Sequence, residues 1–473
     1  MSNSMSNGSS WPVLSLAGVC VKIQDGTHFS PKVQFAEPGL GRFKYLTSKN
    51  IRPWGVDLSD ITYVSEETHR EIYRRCDPQH GDVLLTKDGV NTGTVAVNSL
   101  DEEFSLLSSV AILRPRRDIL DSRFLRYFIE SPQGSRNILG KMSGTAIRRI
   151  ILKRIKEATI PLPPLEEQQL IVAEIEKQFT RLDAGVASLK RVQTELKRYR
   201  ASVLKAACEG RLVPTEAELA RKENRSYESG EELLQRILKE RREKWNGKGK
   251  YKEPKAPEPL LNVDLPEGWT WTGFEQLADG SKHAIKAGPF GSSLKKSVYT
   301  SSGFKIYGQE QVIRGDPYFG DYFISRELFE QLQSCEAKPG DILVSLVGTA
   351  GKVLILPDDS VRGIINPRLL KLSLNRSGVN SKFIKILLES SAARGFFKLA
   401  AHGGTMEILN LGILKAFPVP LPPLSEQTRI AAEVERRLSV VDELELAVRI
   451  NFQHTGALRR SILKRAFTEP KRL

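Results

Sequence analysis

The chain has 473 residues, of which 71 are Lys or Arg and 56 are Asp or Glu, so its formal net charge is +15. This length predicts about three domains, and the basic balance favours a polyanionic partner such as nucleic acid. The sequence lacks an apolar run of membrane-helix length, a signal-peptide pattern and a cysteine framework. We therefore expect a cytoplasmic protein of several domains whose first ten residues are disordered.

A first module is predicted over residues 11–160, with mixed α and β structure. Val83–Thr86 is a short β-rich run between glycine-containing turns, and Ser122–Ile129 places apolar residues at helical spacing. The loops are rich in Gly, Ser, Thr, Asn and Lys. Such loops on a rigid scaffold are where binding residues usually lie.

A long helical connector is predicted over residues 161–213. Pro161–Pro164 imposes an extended start, because proline is excluded from a helix interior. Apolar residues then recur at steps of three or four, which is typical of a coiled-coil seam, with a break of phase near Leu189. About 45 residues of helix would span roughly 65–70 Å. The predicted seam is Ile175, Phe179, Leu182, Val186, Leu189, Val192, Leu196, Tyr199 and Val203.

Residues 214–265 are expected to form a charged helix and a linker. Glu231–Trp245 has helical composition, and a Lys- and Pro-rich stretch follows it. A solvated helix with a spacer is favoured here over a docking element.

The second half of the chain repeats the first. PLPPLSEQTRIAAEVER at 420–436 matches PLPPLEEQQLIVAEIEK at 161–177 in eleven of seventeen positions, at an offset of 259 residues. Gly340-Asp341 repeats Gly81-Asp82 at that offset. Gly351 corresponds to Gly93 at an offset one residue shorter, and Trp271 is predicted to correspond to Trp11. An offset this long predicts a duplicated domain rather than a solenoid repeat.

The second module is therefore placed at 266–419, with a strand at Ile342–Leu346 and a helix at Ser381–Glu389. A second helical connector follows at 420–473. Its predicted seam is Ile430, Val434, Leu438, Val441, Leu444 and Val448.

Two long helices with similar seams can pair with each other. If they pair antiparallel, the two modules are related by a pseudo-two-fold axis, as are the two halves of a duplex DNA site. The alternative is that each helix packs only on its own module.

Searches for catalytic motifs fail. Asp316-Pro317-Tyr318-Phe319 lacks the second proline of the amino-methyltransferase motif, and the Gly348–Val353 segment lacks a glycine and the Ser or Thr of a phosphate-binding loop. The six histidines and four cysteines form no metal-ligand pair, and no nuclease constellation is present. We expect neither a catalytic residue nor a metal site in this chain.

Several short elements, in this order and duplicated, resemble the specificity (S) subunit of Type I restriction–modification enzymes over nearly the whole chain. They are Asp25-Gly26-Thr27-His28, Gly288-Pro289-Phe290-Gly291-Ser292, the two Gly-Asp-[Val/Ile]-Leu strands, Ile365-Asn366-Pro367-Arg368, Gly403-Gly404-Thr405 and both Pro-Leu-Pro-Pro-Leu-x-Glu-Gln segments.

The resemblance implies an α+β chain in which two mixed α/β target recognition domains are separated by an antiparallel coiled coil of two long helices. It implies a bipartite double-stranded DNA site and assembly with two modification subunits that methylate adenine. Two restriction subunits with translocase and nuclease activity can join them. S-adenosylmethionine, ATP and Mg are expected in the partner subunits, and no cofactor is expected in this chain.

Candidate DNA contacts are polar and basic residues of the loops, since base edges are read by side chains and phosphates by Lys and Arg. They are Thr27, His28, Lys87, Asn91, Thr92, Thr94, Thr145 and Arg148 in the first module, and Lys286, Ser292, Ser293, Lys295, Lys296, Thr349, Lys352, Arg368 and Thr405 in the second. Because Gly26-Thr-His-Phe differs from Gly288-Pro-Phe-Gly, we expect two unrelated half-sites. The competing hypotheses are a self-sufficient DNA methyltransferase or nuclease, and a scaffold that binds only proteins.

Overall fold

The protein divides into two compact units. The structure, a computed structural model, describes residues 11–140, 149–245, 250–258, 264–348, 351–400 and 409–468. Unit 1 comprises the chain up to Arg191 together with the chain from Val448 onward, and unit 2 comprises Val192–Ala447. Each unit therefore contains one module and a segment of each long helix.

Unit 1 is built on a four-stranded antiparallel sheet of order β2-β10-β7-β8, accompanied by a three-stranded sheet β6-β3-β9 and the pairs β1-β11 and β4-β5. Its strands are β1 (Val13–Ser15), β2 (Cys20–Asp25), β3 (Arg42–Leu46), β4 (Ile51–Arg52), β5 (Gly55–Val56), β6 (Thr62–Ser65), β7 (Val83–Thr86), β8 (Val95–Val97), β9 (Phe104–Leu106), β10 (Val110–Pro115) and β11 (Thr159–Pro161). Its helices are α1 (Leu16–Val19), α2 (Glu66–Arg75), α3 (Ser122–Glu130), α4 (Pro132–Leu139), α5 (Leu152–Glu157) and the start of α6 (Leu165–Cys208).

Unit 2 repeats this plan, with a four-stranded sheet β13-β20-β17-β18, a second sheet β15-β14-β19-β16 and the pair β12-β21. Its strands are β12 (Thr270–Gly273), β13 (Ile285–Ala287), β14 (Phe304–Tyr307), β15 (Phe323–Ile324), β16 (Glu336–Ala337), β17 (Ile342–Ser345), β18 (Val353–Ile355), β19 (Gly363–Ile365), β20 (Leu369–Leu372) and β21 (Pro418–Leu421). Its helices are α7 (Glu216–Glu223), α8 (Gly230–Glu243), α9 (Phe274–Leu277), α10 (Gln309–Arg314), α11 (Arg326–Gln331), α12 (Ser381–Leu388), α13 (Ser391–Ala400), α14 (Leu411–Lys415) and the start of α15 (Leu424–Thr468).

The predicted duplication and the mixed α/β character of both modules are confirmed. Strands β7 and β17 and helices α3 and α12 lie where the residue patterns place them. Asp121 and Asn380 start the two helices, since each side chain accepts hydrogen bonds from the next two backbone amides.

The two predicted long helices are present, with 44 residues in α6 and 45 in α15. In unit 1, Arg459 of α15 lies 4.2 Å above the Phe179 ring and pairs with Asp183 at 3.2 Å. In unit 2, Arg200 of α6 bonds to Asp442 and Glu445, while Leu204 shares a core with Ile430. Within each unit, later residues of one helix meet earlier residues of the other, so the packed segments are antiparallel.

The helices also complete the module cores, so the alternative that each packs only on its own module is wrong. Phe467 of α15 sets its ring edge against Phe124 and Phe128 of α3 in unit 1, at 5.2 and 5.4 Å. In unit 2 the last turns of α6 join the same cluster as Phe383 of α12.

The predicted seam is buried only in part. Of its predicted members, Ile175, Phe179, Leu196, Val203, Ile430, Val434, Val441 and Val448 are buried, and Leu182, Val186, Leu189 and Leu438 are half-buried. Val192, Tyr199 and Leu444 are 44%, 46% and 47% exposed. The seam position after Leu196, four residues on, is Arg200, and the one after Val441 is Glu445. Arg200 Nη2 lies 3.4 Å from Glu445 Oε2, so an ion pair occupies seam positions there. Hydrophobicity alone could not identify these two charged positions.

Each module is closed by pairing its first strand with its last. Val13 pairs with Pro161, and Trp271 pairs with Pro420. Trp271 is thus the counterpart of Val13, and the prediction that it matches Trp11 is wrong. The true match is Trp269, since Trp11 Nε1 donates to Glu167 at 3.2 Å and Trp269 Nε1 donates to Glu426 at 2.9 Å.

The glutamine of each repeated Glu-Gln pair fastens its long helix to its module. In unit 1, Gln168 Oε1 accepts from the Asp121 amide at 2.9 Å, and its Nε2 donates to the carbonyls of Ile119 and Pro163, each at 2.8 Å. In unit 2, Gln427 makes the same set to Asn380, Gly378 and Pro422, at 2.9, 3.3 and 3.0 Å. Both glutamines are fully buried. The repeated motif is therefore the joint that fixes each long helix to its module.

The helix in residues 214–265 is not solvated, so the prediction of a solvated helix with a spacer is wrong for it. Helix α8 buries Leu233, Leu234, Ile237 and Leu238 in the main core of unit 2. Its charged residues form the outer face, so the helix is an integral part of that unit. Within the described ranges no helix is both long and apolar enough to span a bilayer.

Candidate nucleic-acid interface

One edge of the four-stranded sheet of unit 1 collects three loops. Because the strands alternate in direction, the ends of β2 and β7 and the starts of β10 and β8 fall on the same side. The loops are 26–34, 87–94 and 107–109. They are joined by backbone hydrogen bonds of 2.7 Å from Lys87 to Ser109 and from Ser108 to Thr27. We call this the loop edge of unit 1.

Unit 2 has an equivalent loop edge, formed by residues 286–298, 346–348, 351–352 and 366–368. The Leu346 amide donates to Arg368 at 3.0 Å, and the Gly288 amide donates to Leu369 at 2.9 Å. Gly93 and Gly351 both adopt positive φ, at 93° and 81°, and both donate to the last residue of the preceding strand. The predicted one-residue slip is therefore a shorter hairpin in unit 2.

The structure gathers the described candidates of the first module at its loop edge, but not all at the surface. His28 is half exposed, and Asn91, Thr92 and Thr94 are partly exposed in the hairpin. Thr27 and Lys87 are inside, at 2% exposure each. A buried side chain of this kind holds the loops together rather than contacting a ligand. Thr145 and Arg148 lie outside the described residues.

A buried ion pair organises this edge. Lys87 Nζ lies 2.5 Å from Asp25 Oδ2, and both side chains are almost fully buried. Arg75 donates to Asp25 Oδ1 at 2.9 Å and to the Gly26 carbonyl at 3.1 Å. Burial by itself raises the pKa of Asp25, but hydrogen bonds from Lys87 and Arg75 outweigh it and hold that pKa below its ordinary value.

In unit 2 the described candidates form a basic surface. Lys286, Ser292, Ser293, Lys295, Lys296, Lys352 and Arg368 are half-buried to exposed on its loop edge. Within the described ranges, none of these five cations has a carboxylate oxygen within 4 Å. Partial burial lowers the pKa of His283, and the nearby charges of Lys286 and Lys282 lower it further. Thr349 and Thr405 lie outside the described residues.

The two edges differ in their interiors as well as their surfaces. Asp25 pairs with Ala111 of β10, and Ala287 pairs with Leu370 of β20, so Ala287 occupies the place of Asp25. Lys87 and Leu346 make matching amide bonds, so Leu346 replaces Lys87. The two positions of the unit 1 ion pair are thus occupied by apolar residues in unit 2.

Two loop-edge residues were missed from sequence. Arg75 ends α2, far along the chain from Asp25 and His28, and no spacing pattern connects them. Phe290 was recognised as part of a motif, but its 88% exposure is visible only in the folded loop.

A groove of about 1130 Å³ in unit 1 adjoins Thr92 and Thr94. Its cations, Arg126, Arg459 and Arg460, share the walls with the carboxylates Glu130, Glu176 and Asp183. This mixed charge does not suit a run of phosphates.

The residues that partly match a catalytic motif have a structural role. Asp316 Oδ1 accepts the Tyr318 amide at 2.9 Å, and Arg314 stacks on Phe319 at 4.0 Å, so this segment forms a turn. Among the described residues, no three His, Cys, Asp or Glu side chains are grouped to hold a metal ion.

Comparison with known proteins gives consistent relatives. The specificity subunits of the Type I restriction enzymes EcoBI and EcoKI of Escherichia coli are each 23% identical, over 387 and 432 residues, covering 82% and 89% of this chain and 73% and 81% of theirs. The MjaVIII specificity subunit of Methanocaldococcus jannaschii is 22% identical over 419 residues, covering 88% of this chain and 82% of its own.

A solved structure described under "complex assembly and conformational transition of the type I R-M system" aligns with a TM-score of 0.62 at 20% identity, over 98% of both chains, and so has the same fold. Residues 10–198 and 290–446 match the family model of the Type I restriction modification DNA specificity domain. With more than half of its residues matched, the chain belongs to the family of Type I restriction–modification specificity subunits.

Proposed function

We propose that this chain is the DNA-binding subunit of a Type I restriction–modification complex and that it reads an asymmetric, bipartite duplex. The observation that carries the proposal is the pair of equivalent loop edges with different side chains. A duplicated scaffold that keeps its strands, turns and joints, while changing the residues of one edge, is suited to binding two different sequences of the same kind of ligand.

Charge supports double-stranded DNA as that ligand. The chain carries a net charge of +15, and the loop edge of unit 2 presents Lys286, Lys295, Lys296, Lys352 and Arg368. Cations on phosphates fix the register of a protein on DNA, and neighbouring polar side chains read base edges. His28 with Arg75, and Ser292 with Ser293, are the residues proposed to read base edges.

The long helices are proposed to fix the spacing of the half-sites and to bind partner subunits. The partners would be two modification subunits that methylate adenine with S-adenosylmethionine, joined in the full enzyme by two restriction subunits that use ATP and Mg. This chain would supply recognition without catalysis and would work in the cytoplasm.

The test is methylation mapping of the host genome with and without this gene, followed by binding assays. We expect one bipartite methylated motif to disappear with the gene. The purified chain with its modification subunits should then bind a duplex carrying that motif at least tenfold tighter than a scrambled duplex at the same salt concentration, since salt alone changes affinity. Replacing residues 11–160 by another module should change only one half of the motif.

The competing functions give different results. A self-sufficient methyltransferase or nuclease would modify or cut DNA as the isolated chain, whereas we expect neither reaction. A protein scaffold would bind its partner subunits and show no preference between the motif and scrambled DNA.

A further inference from the structure

The loops that follow Gly26 and Gly288 begin at equivalent glycines. A Cβ on either glycine would lie 1.9 Å from a carbonyl oxygen, that of Leu106 in unit 1 and that of Asn366 in unit 2. Their amides donate to Val110 and Leu369, which are separated by the repeat offset. His28 and Phe290 are therefore each the second residue after an equivalent glycine, and this is the place compared below.

In unit 1 this place holds a polar group in a fixed orientation. Arg75 Nη2 lies 2.9 Å from His28 Nε2, and Arg75 is itself held by Asp25. Because a guanidinium can only donate, His28 Nε2 is the acceptor in this contact. His28 and Arg75 thus present hydrogen-bond donors with a defined direction.

In unit 2 the same place holds an apolar ring in water. Phe290 is 88% exposed, follows Pro289, and precedes a 3₁₀ turn at Gly291–Ser293. Leu294, which is 6% exposed, anchors the loop in a small core with Ile306 and Ile324. The ring is therefore presented at the tip of an anchored loop.

The surroundings favour DNA over protein as the ligand of that ring. Lys286 precedes the loop, Lys295 and Lys296 follow it, and Arg368 lies in the turn whose backbone contacts Gly288. A phenyl ring among cations suits the base stack of a duplex, whose faces are apolar and whose edges are lined with phosphates.

We propose that Phe290 inserts as an apolar wedge at a base step of the half-site read by the second module, while the equivalent His28, held by Arg75, reads base edges in the first. This inference rests on the proposed function. It assigns the two modules different modes of recognition at one shared position.

The test uses the full chain with its modification subunits and duplexes carrying the mapped motif, with 2-aminopurine placed singly at each position of both half-sites. In the wild-type complex we expect fluorescence to rise at one step of the half-site read by the second module, apart from the target adenines, which methyltransferases flip out of the stack. The readout works because 2-aminopurine brightens when it is unstacked. Phe290→Ala should abolish the rise at that step and weaken binding by about 5- to 140-fold, the range for losing one base–aromatic contact. Phe290→Leu should retain part of both.

Val361→Ala is the matched control, since Val361 is also an exposed apolar residue of unit 2, at 57% exposure, and precedes β19 at the end away from the loop edge. It should leave affinity and fluorescence unchanged. The wedge is ruled out if the wild-type complex prefers the motif, Phe290→Ala binds within twofold, and no step other than the target adenines brightens. Loss of the modification subunits from Phe290→Ala would overturn it in favour of a protein contact. If the wild type shows no preference at all, the proposed function fails and the wedge with it.

Discussion

Single residues distinguish the two loop edges more clearly than the fold does. Asp25 and Lys87 form a buried ion pair in unit 1, and the corresponding residues in unit 2 are Ala287 and Leu346. A buried ion pair is often no more stable than an apolar pair, but removing one partner leaves a buried charge uncompensated. The ion pair is therefore better explained by its hold on Arg75 and His28 than by stability.

This explanation predicts a non-additive pair of substitutions. Lys87→Leu should destabilise unit 1 by about 3 kcal/mol, lowering its thermal midpoint by about 6–12 °C. Adding Asp25→Ala, which installs the unit 2 pair, should restore most of the loss while weakening recognition of the first half-site. Scanning calorimetry measures the midpoint. Lys49→Leu, which breaks the exposed Lys49–Asp60 pair of 2.8 Å, is the control and should cost less than about 1 kcal/mol.

Acid should act through the same carboxylate. Because the folded-state pKa of Asp25 lies below its ordinary 3.8, its contribution is present above that pH and is lost as the pH falls below it. The midpoint of unit 1 should therefore fall less between about pH 5 and pH 3 in the double variant than in the wild type. Equal falls would mean that Asp25 is not a source of acid sensitivity.

Among the structural elements, the joint between each long helix and its module explains the most conspicuous repeat of the sequence. Gln168 and Gln427 make the same three hydrogen bonds to a helix cap, a loop carbonyl and the proline segment. The neighbouring Glu167 and Glu426 accept from Trp11 and Trp269. The repeated Glu-Gln residues therefore make the same hydrogen bonds in both units.

Gln168→Leu should destabilise unit 1 by about 2–3 kcal/mol, because it leaves a buried amide and two carbonyls without partners. Gln427→Leu should have a similar effect on unit 2. Gln169→Leu changes the exposed neighbour and should leave the thermal midpoint almost unchanged. Equal midpoints for Gln168→Leu and Gln169→Leu would contradict the assigned role.

For the molecule as a whole, the proposed spacer function depends on the register of the two long helices. The residue numbers of the Asp183–Arg459 and Arg200–Asp442 pairs both add to 642. Positions that share this sum can be removed together, and a heptad leaves the seam nearly in phase.

Deleting residues 189–195 and 447–453 together should shorten the spacer in the recognised motif. Seven residues correspond to about 10.5 Å of helix, or about 3 base pairs at about 3.4 Å each. Methylation mapping of a strain that carries the variant reads out the spacer directly. Deleting 189–195 alone is the control and should abolish binding, because it moves the partner residues out of register. A double deletion that keeps the original spacer would remove the basis for the spacer proposal.

Local patterns were enough for the duplication, the two long helices and several strand and helix positions, because hydrophobic periodicity, proline and repeated motifs act through near neighbours. They also selected candidate contacts that, where described, lie together at one edge of each module. Only the tertiary structure showed that Lys87 is buried, that Arg75 reaches His28, that Trp269 replaces Trp271, and that Arg200 and Glu445 complete the seam. Each of these features depends on contacts between residues that are distant in the chain. Burial, ion pairing and register are set by those contacts and not by the local sequence.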